Sequence, residues 1–114
     1  MGQVVVFDFG APPVGNIWML RWITTYGRTE HDVGLKFFCS FYRGDPVNTN
    51  LATLIVGNVR VPGTRLICDT ATYCHPRENL FLVTSDVVPV GQAVGANIGV
   101  EEWDEHEISR GDGS

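Results

Sequence analysis

The residues that could carry chemistry in this 114-residue chain begin with Cys68, Cys74 and His75. Thiolate and imidazole are ligands that zinc prefers, and a structural zinc site takes four of them, usually as two closely spaced pairs. Here five residues separate the two cysteines and no second pair follows. The spacing therefore predicts two loop thiols and a solvated imidazole, and no bound metal.

Catalysis needs a nucleophile, a base and an orienting group in contact with one another. Adjacency of Cys74 and His75 in the sequence does not supply the third group, and His31 and His106 lie in polar segments. The sequence contains no nucleophile elbow, phosphate-cradling loop or paired-carboxylate motif. We therefore predict that the protein is not an enzyme, has no catalytic residues and needs no cofactor.

The three cysteines also bear on disulfides. An odd number of cysteines without a secretion signal predicts no disulfide framework. Cys39 alternates with Phe41 and is expected in the core as a small apolar side chain. A bridge between Cys68 and Cys74 stays open, although a reducing cytosol opposes it.

An acidic segment near the end of the chain, residues 101–107, holds five carboxylates in seven residues. Carboxylate oxygens bind calcium, but this segment lacks the glycine and the alternating Asp and Asn ligands of a calcium loop. We expect a solvated strand end with Trp103 as an aromatic anchor, which covers the end of the domain or meets a neighbour.

The tripeptide Arg-Gly-Asp occurs twice, at Arg43–Asp45 and at Arg110–Asp112. An adhesion receptor could reach the second copy in a polar tail. The first copy, followed by Pro46, is explained by a strand that ends in a turn. We expect neither copy to act in adhesion.

The charge balance is acidic, with 13 Asp and Glu against 8 Lys and Arg and a formal net charge of −5. This charge repels nucleic-acid phosphates and anionic lipid. No apolar stretch reaches the roughly 18 residues needed to span a bilayer, and Met1–Gly10 lacks the features of a signal peptide. We expect synthesis in the cytoplasm and neither nucleic acid nor a membrane as partner.

The elements that must position these residues are predicted to be strands. In Gly15–Tyr26 the side chains of Trp18, Leu20 and Trp22 fall at a spacing of two, which is typical of a strand with one buried face. We expect these three side chains to point into the core. No segment shows a convincing helical pattern.

Turn signals recur about every ten residues, which favours a β-sandwich or a small barrel. We predict an all-β fold: a single β-sandwich of about seven to eight short antiparallel strands over residues 1–103, followed by a polar acidic C-terminal tail, residues 104–114. Gly57-Asn58 is a candidate turn between strands, and residues 27–34 and 70–79 are expected to be loops. The predicted strands are Val4–Phe9, Gly15–Tyr26, Leu35–Arg43, Leu51–Val56, Val59–Val61, Arg65–Asp69, Leu80–Val88 and Ala93–Trp103.

Three stretches resemble a known family. Pro12–Arg21 forms a proline-and-glycine turn before a tryptophan-containing strand that ends at an arginine, and Tyr42–Pro46 is an aromatic–x–Gly–x–Pro turn followed by Asn and Leu. Late in the chain come an apolar strand, a glycine turn and a strand ending in acidic residues, at Leu80–Thr84, Val90–Gly95 and Ile98–Glu102. Over about residues 10–103 the chain resembles small virion structural proteins of tailed phages, especially those infecting actinobacteria.

This resemblance implies a capsid decoration protein that binds and stabilises the head lattice. The partner would be the major capsid protein or another virion protein, and the protein would reside in the virion after synthesis in the host cytoplasm. By analogy it would form a homo-oligomer, a trimer. Because the first strand is apolar on both faces, we expect an interface at Val5, Phe7 and Phe9, together with Trp103.

The competing prediction is a carbohydrate- or receptor-binding β-sandwich module of a phage fibre or tail. Exposed aromatic side chains with a few polar partners suit such a site, and Tyr26, Tyr73 and Trp103 are the candidates. A jelly roll of a eukaryotic virus is disfavoured, since capsid-forming jelly rolls generally carry longer loops and arms.

Overall fold

The computed structural model describes residues 4–29, 37–61, 63, 65–68, 72–85, 87–88 and 92–105. These residues form eight strands and one short 3-10 helix, Thr49–Leu51. The strands are β1 (Val6–Gly10), β2 (Asn16–Thr29), β3 (Phe37–Gly44), β4 (Thr53–Val61), β5 (Leu66–Ile67), β6 (Tyr73–Cys74), β7 (Asn79–Thr84) and β8 (Gln92–Asp104).

The strands form two antiparallel sheets. The first sheet has the order β1-β7-β3-β4. In the second sheet β2 lies in the middle, with β8 along one edge and the two short strands β5 and β6 along the other. The prediction of an all-β sandwich with seven to eight antiparallel strands is confirmed.

The core lies between the inner faces of the two sheets. Leu20 and Ile23 of the second sheet and Phe41 and Leu82 of the first are almost completely buried in one cluster. Burying an apolar side chain of this size stabilises a fold by roughly 1.5–3 kcal/mol. Cys39 belongs to the same cluster, as its alternation with Phe41 predicts.

A bulge in β2 corrects the predicted core face of that strand. Leu20 pairs with Val100 and Trp22 pairs with the next residue, Gly99, so Arg21 is an extra residue in β2. One inserted residue reverses the face of every later side chain. Leu20 therefore enters the core and Trp18 packs against it, whereas Trp22 lies outside the core cluster, beneath the guanidinium of Arg65 at 4.4 Å.

A second bulge explains why Gly57-Asn58 is not the predicted turn. Phe41 pairs with Val56, and Cys39 pairs with Val59. Between these two pairs β4 advances by three residues while β3 advances by two, so β4 contains one extra residue. Asn58 takes a positive φ of 55°, which asparagine tolerates better than most residues. The two predicted strands on either side of this dipeptide are one strand, β4.

Two predicted loops contain strand residues. β2 continues past Tyr26 to Thr29, because its last residues pair with the beginning of β8. Within residues 70–79, Tyr73 and Cys74 form β6 beside Met19 and Trp18. Neither pairing is visible in a local pattern, since both depend on a distant strand.

Candidate functional site

The first candidate surface is the segment that enters β1, at the edge of the first sheet. Val4, Val6 and Phe7 are 46%, 43% and 40% exposed. The segment is fixed to β7, because the Val5 amide donates to Thr84 Oγ1 at 2.9 Å and the Thr84 amide donates to the Val5 carbonyl at 3.0 Å. A rigid edge strand therefore presents three apolar side chains, and we call Val4, Val6 and Phe7 the β1 patch.

The predicted interface residues of this strand divide into two groups. Val5 and Phe9 are partly buried and pack against the core, where the Phe9 ring stacks on Phe41 with centroids 6.0 Å apart. Phe7 is the predicted residue of this strand that is substantially exposed. Its ring contacts that of Phe9, with the ring centroids 5.0 Å apart. The prediction omitted Val4 and Val6, although the apolar character of both faces of the strand was the signal that could have found them.

Trp103, the fourth predicted interface residue, belongs to a charged network on β8. Its Nε1 donates to Glu101 at 3.0 Å, and Arg21 donates to the same carboxylate through Nε at 2.9 Å and Nη2 at 3.2 Å. The Arg21 hydrogen bond is the largest cause that lowers the pKa of Glu101 below its usual 4.5. The bulge at Arg21 thus places a cation beside the first residue of the acidic segment.

The next carboxylate of that segment is also satisfied within the protein. Glu102 accepts hydrogen bonds from Trp18 Nε1 at 2.9 Å and from Asn16 Nδ2 at 3.1 Å. Donors from β2 thus occupy the oxygens of both carboxylates. Residues 101–105 are exposed, as the predicted solvated strand end requires, and these hydrogen bonds also join the end of β8 to β2.

The cysteine and histidine candidates do not form a ligand set. Cys74 is a buried free thiol, and its Sγ donates to the Glu78 carbonyl at 3.2 Å. Burial, reinforced by the charge of Glu78, raises its pKa to about 12, and burial raises the pKa of Cys39 to about 11. Within the described part of the chain no three His, Cys, Asp or Glu side chains could together hold a metal. His31 and His106 lie outside the described residues.

A cleft of about 400 Å³ lies where the ends of the two sheets meet. Its lining residues are Arg43, Thr53, Leu54, Ile55, Thr72 and Tyr73. Arg43 Nη1 donates to the Tyr73 carbonyl at 2.6 Å, and its Nε lies 3.6 Å from Glu78 Oε2. The Nη1 hydrogen bond ties β3 to β6, whereas the buried Nε has no hydrogen-bond partner among the described residues and faces Glu78 as an ion pair.

The same arginine begins the first Arg-Gly-Asp copy. Its side chain points to β6, while Asp45 Oδ1 accepts the Val47 amide at 2.9 Å in the following turn. Asp45 is exposed, and the prediction that this copy is a strand end entering a turn is confirmed. The second copy, Arg110–Asp112, lies outside the described residues.

The three aromatic residues expected in a glycan site do not share a loop. Tyr73 pairs with Met19 and Trp103 pairs with Ile17, whereas Tyr26 lies towards the opposite end of β2. The Tyr26 ring crosses Gly95, because a Cβ at that glycine would lie 2.6 Å from the ring. Tyr26 is 49% exposed, so its ring has a glycine behind it and solvent in front.

Comparison with known proteins gives no relative. No family model matches the chain, and no curated protein or solved structure matches it. Among the described residues no helix is long and apolar enough to cross a bilayer.

Proposed function

We propose that this chain is a non-enzymatic structural protein of a tailed-phage virion, a capsid decoration protein that binds and stabilises the head lattice. Its partner is the major capsid protein or another virion protein, and it works in the virion after synthesis in the host cytoplasm. The resemblance of residues 10–103 to small phage virion proteins supports this proposal, and the β1 patch supplies a contact surface.

The β1 patch carries the proposal because it combines apolar area with a fixed backbone. A rigid strand loses little conformational entropy when it meets a partner. Covering the exposed parts of Val4, Val6 and Phe7 stabilises a contact by roughly 1 kcal/mol for each side chain. A lattice repeats such a contact many times, so a modest local free energy is sufficient.

The experiment compares the same charged substitution at two exposed valines, one inside and one outside the β1 patch. The test variant is Val6→Asp in the β1 patch, and the matched control is Val47→Asp, since Val47 is 92% exposed in the turn after β3. Each purified protein is incubated with emptied heads of the phage whose genome encodes the chain. Co-sedimentation measures binding, and thermal unfolding of the free protein measures stability.

We expect Val6→Asp to lose most of its co-sedimentation while its unfolding temperature stays close to that of the wild type. Val47→Asp should bind like the wild type. Equal binding by both variants, or wild-type protein that does not sediment with the heads, contradicts the proposal. Should Val6→Asp unfold, Val6→Ser and Phe7→Ser provide milder changes for the same comparison.

A carbohydrate- or receptor-binding module of a phage fibre or tail is the second candidate. Tyr26 supports it, because a half-exposed aromatic ring with a glycine behind it offers a flat surface to the apolar face of a sugar. A panel of immobilised glycans tests this function directly. Glycan binding that Tyr26→Ala abolishes and Tyr26→Phe retains, without binding to heads, would favour the module over decoration.

A further inference from the structure

The outer strands of the two sheets differ in how well they are protected from pairing with another chain. β5 and β6 have two residues each, and β1 has five with a register shift between Asp8 and Gly10. β4 is bulged at Asn58, and its Arg60 carbonyl accepts the Thr25 hydroxyl. Short length, bulges and occupied main-chain groups are the usual protections of an edge.

Within the described residues β8 is neither short nor bulged, although Val94, Gly95 and Ala96 are buried. It contains 13 residues, and the register shift in its pairing with β2 comes from the extra residue on β2. β2 is the strand paired with β8 in the described part of the chain. From Gln92 to Val100 the strand contains no charged residue and no proline. A long regular edge of this composition is a surface for strand addition.

The sequence of this edge indicates which strand fits it. The segment Val94-Gly95-Ala96-Asn97-Ile98-Gly99-Val100 reads nearly the same in both directions, and only Ala96 and Ile98 differ. When two copies pair antiparallel about a twofold axis, each residue meets the one at the mirrored position. We propose that β8 of two copies of this chain pairs antiparallel, with the axis at Asn97.

This register matches side chains on both faces. Asn97 is exposed and would meet Asn97 of the partner subunit, where each amide can both donate and accept. Gly95 would meet Gly99 of the partner subunit, so the rings of Tyr26 and Trp22 that cross these glycines remain unobstructed. Val100, which is 36% exposed, would lie beside Val94 of the partner subunit, whose side chain is buried in its own core.

The charge distribution selects the antiparallel orientation. In a parallel pair Glu101 and Glu102 would lie directly beside the same carboxylates of the partner subunit, and like charges in that position repel. In the antiparallel pair Glu101 faces Ala93 of the partner subunit. The two Glu101 residues are then eight positions apart along the ladder, about 27 Å at the strand rise of about 3.4 Å per residue.

Sedimentation velocity of four variants tests the pairing and its axis. Asn97→Lys and Asn97→Asp each place two like charges across the axis. Asn97→Thr is the neutral control at the same position. Thr24→Lys is the charged control, since Thr24 pairs with Asn97 one strand further from the axis. Circular dichroism of each variant checks that it folds.

We expect wild-type dimers, dissociation constants at least fivefold higher for Asn97→Lys and for Asn97→Asp, and near-wild-type dimers for Asn97→Thr and Thr24→Lys. Mixing Asn97→Lys with Asn97→Asp should restore dimers, because opposite charges then meet at the axis. Wild-type protein that stays monomeric at about 1 mM or forms a trimer overturns the proposal. A mixture that dimerises no better than its components overturns it as well, as does equal weakening by Thr24→Lys. The inference does not depend on capsid binding.

Discussion

β1 and β8 are both edge strands, but they expose different parts of the chain. β1 is short and interrupted, and its contact surface consists of the apolar side chains of the β1 patch. β8 is long and regular, and its contact surface is the main chain between Gln92 and Val100. Its acidic end, by contrast, is held by Arg21, Trp18 and Asn16 of β2.

The difference shows that one sandwich can offer two separable modes of contact. Apolar side chains on a short edge strand suit a partner of complementary shape. The main-chain groups along a long edge strand suit pairing with another strand. We propose that the β1 patch contacts the lattice and that the β8 edge pairs with a second copy. Variants that affect one edge and not the other test this division.

The largest effect on stability is expected in the core beneath β1, on its neighbouring strand β7. Leu82 is fully buried on β7 and pairs with Phe7. Leu82→Ala should lower the free energy of unfolding by about 2–5 kcal/mol, because it leaves a cavity. Chemical denaturation measures this, with the exposed Val6→Ala as control, for which a change below about 0.5 kcal/mol is expected. A loss below about 1 kcal/mol for Leu82→Ala would show that β7 does not anchor the edge.

The next largest effect on stability concerns the packing of β2 against β8. A Cβ at Gly99 would overlap the indole of Trp22. Gly99→Ala should therefore destabilise the fold by about 1–3 kcal/mol, as overpacking does. Gly57→Ala is the matched control, because its Cβ would meet Leu54 Cδ2 at an ordinary 3.5 Å.

A double variant separates this clash from other effects of the alanine. If the Trp22 ring is the obstacle, Trp22→Ala should lower the free energy of unfolding less in the Gly99→Ala background than in the wild type. Denaturation of the four proteins gives the coupling free energy. Strict additivity would contradict the packing of Trp22 over Gly99.

A smaller effect concerns the attachment that makes the β1 patch rigid. Thr84→Val keeps the shape of the side chain but removes the acceptor for the Val5 amide. Loss of this hydrogen bond should lower stability by about 1 kcal/mol and speed exchange of the Val5 amide. Thr24→Val, on the outer face of β2, is the control. Unchanged exchange at Val5 would refute the attachment.

The smallest effect is expected at the acidic end of β8. The folded state lowers the pKa of Glu101, so the ionised carboxylate is stabilised above the unfolded pKa, and this contribution is lost as the pH falls through the folded pKa. The window therefore lies below about pH 4.5. Arg21→Gln should raise the pKa of Glu101 towards its ordinary value in an NMR titration. No rise would mean that Arg21 does not set it.

The fold class could be predicted because local alternation and turn spacing are properties of short segments. The errors came from features that depend on a distant strand. One extra residue at Arg21 moved Trp22 from the core face, and a bulge joined the two strands around Asn58. A sequence pattern does not mark which strand contains a bulge, because the partner strand sets the register.

The candidate surfaces were predicted less completely for the same reason. The apolar first strand was visible, but which of its side chains face the core depends on β7 and Phe41. The acidic segment is exposed, as expected, but nothing local reveals that Trp18 and Arg21 donate to it. The sequence does not reveal that β8 lies at the edge of its sheet among the described residues, because this depends on its pairing with β2.

Amide hydrogen exchange at low and high protein concentration tests the division between the two edges most directly. In an antiparallel strand alternate amides point to opposite sides. At high concentration we predict slower exchange at every second amide from Val94 to Val100, those that face away from β2, and unchanged exchange over Val6–Gly10. Slowing in β1 with no change in β8 would contradict the account.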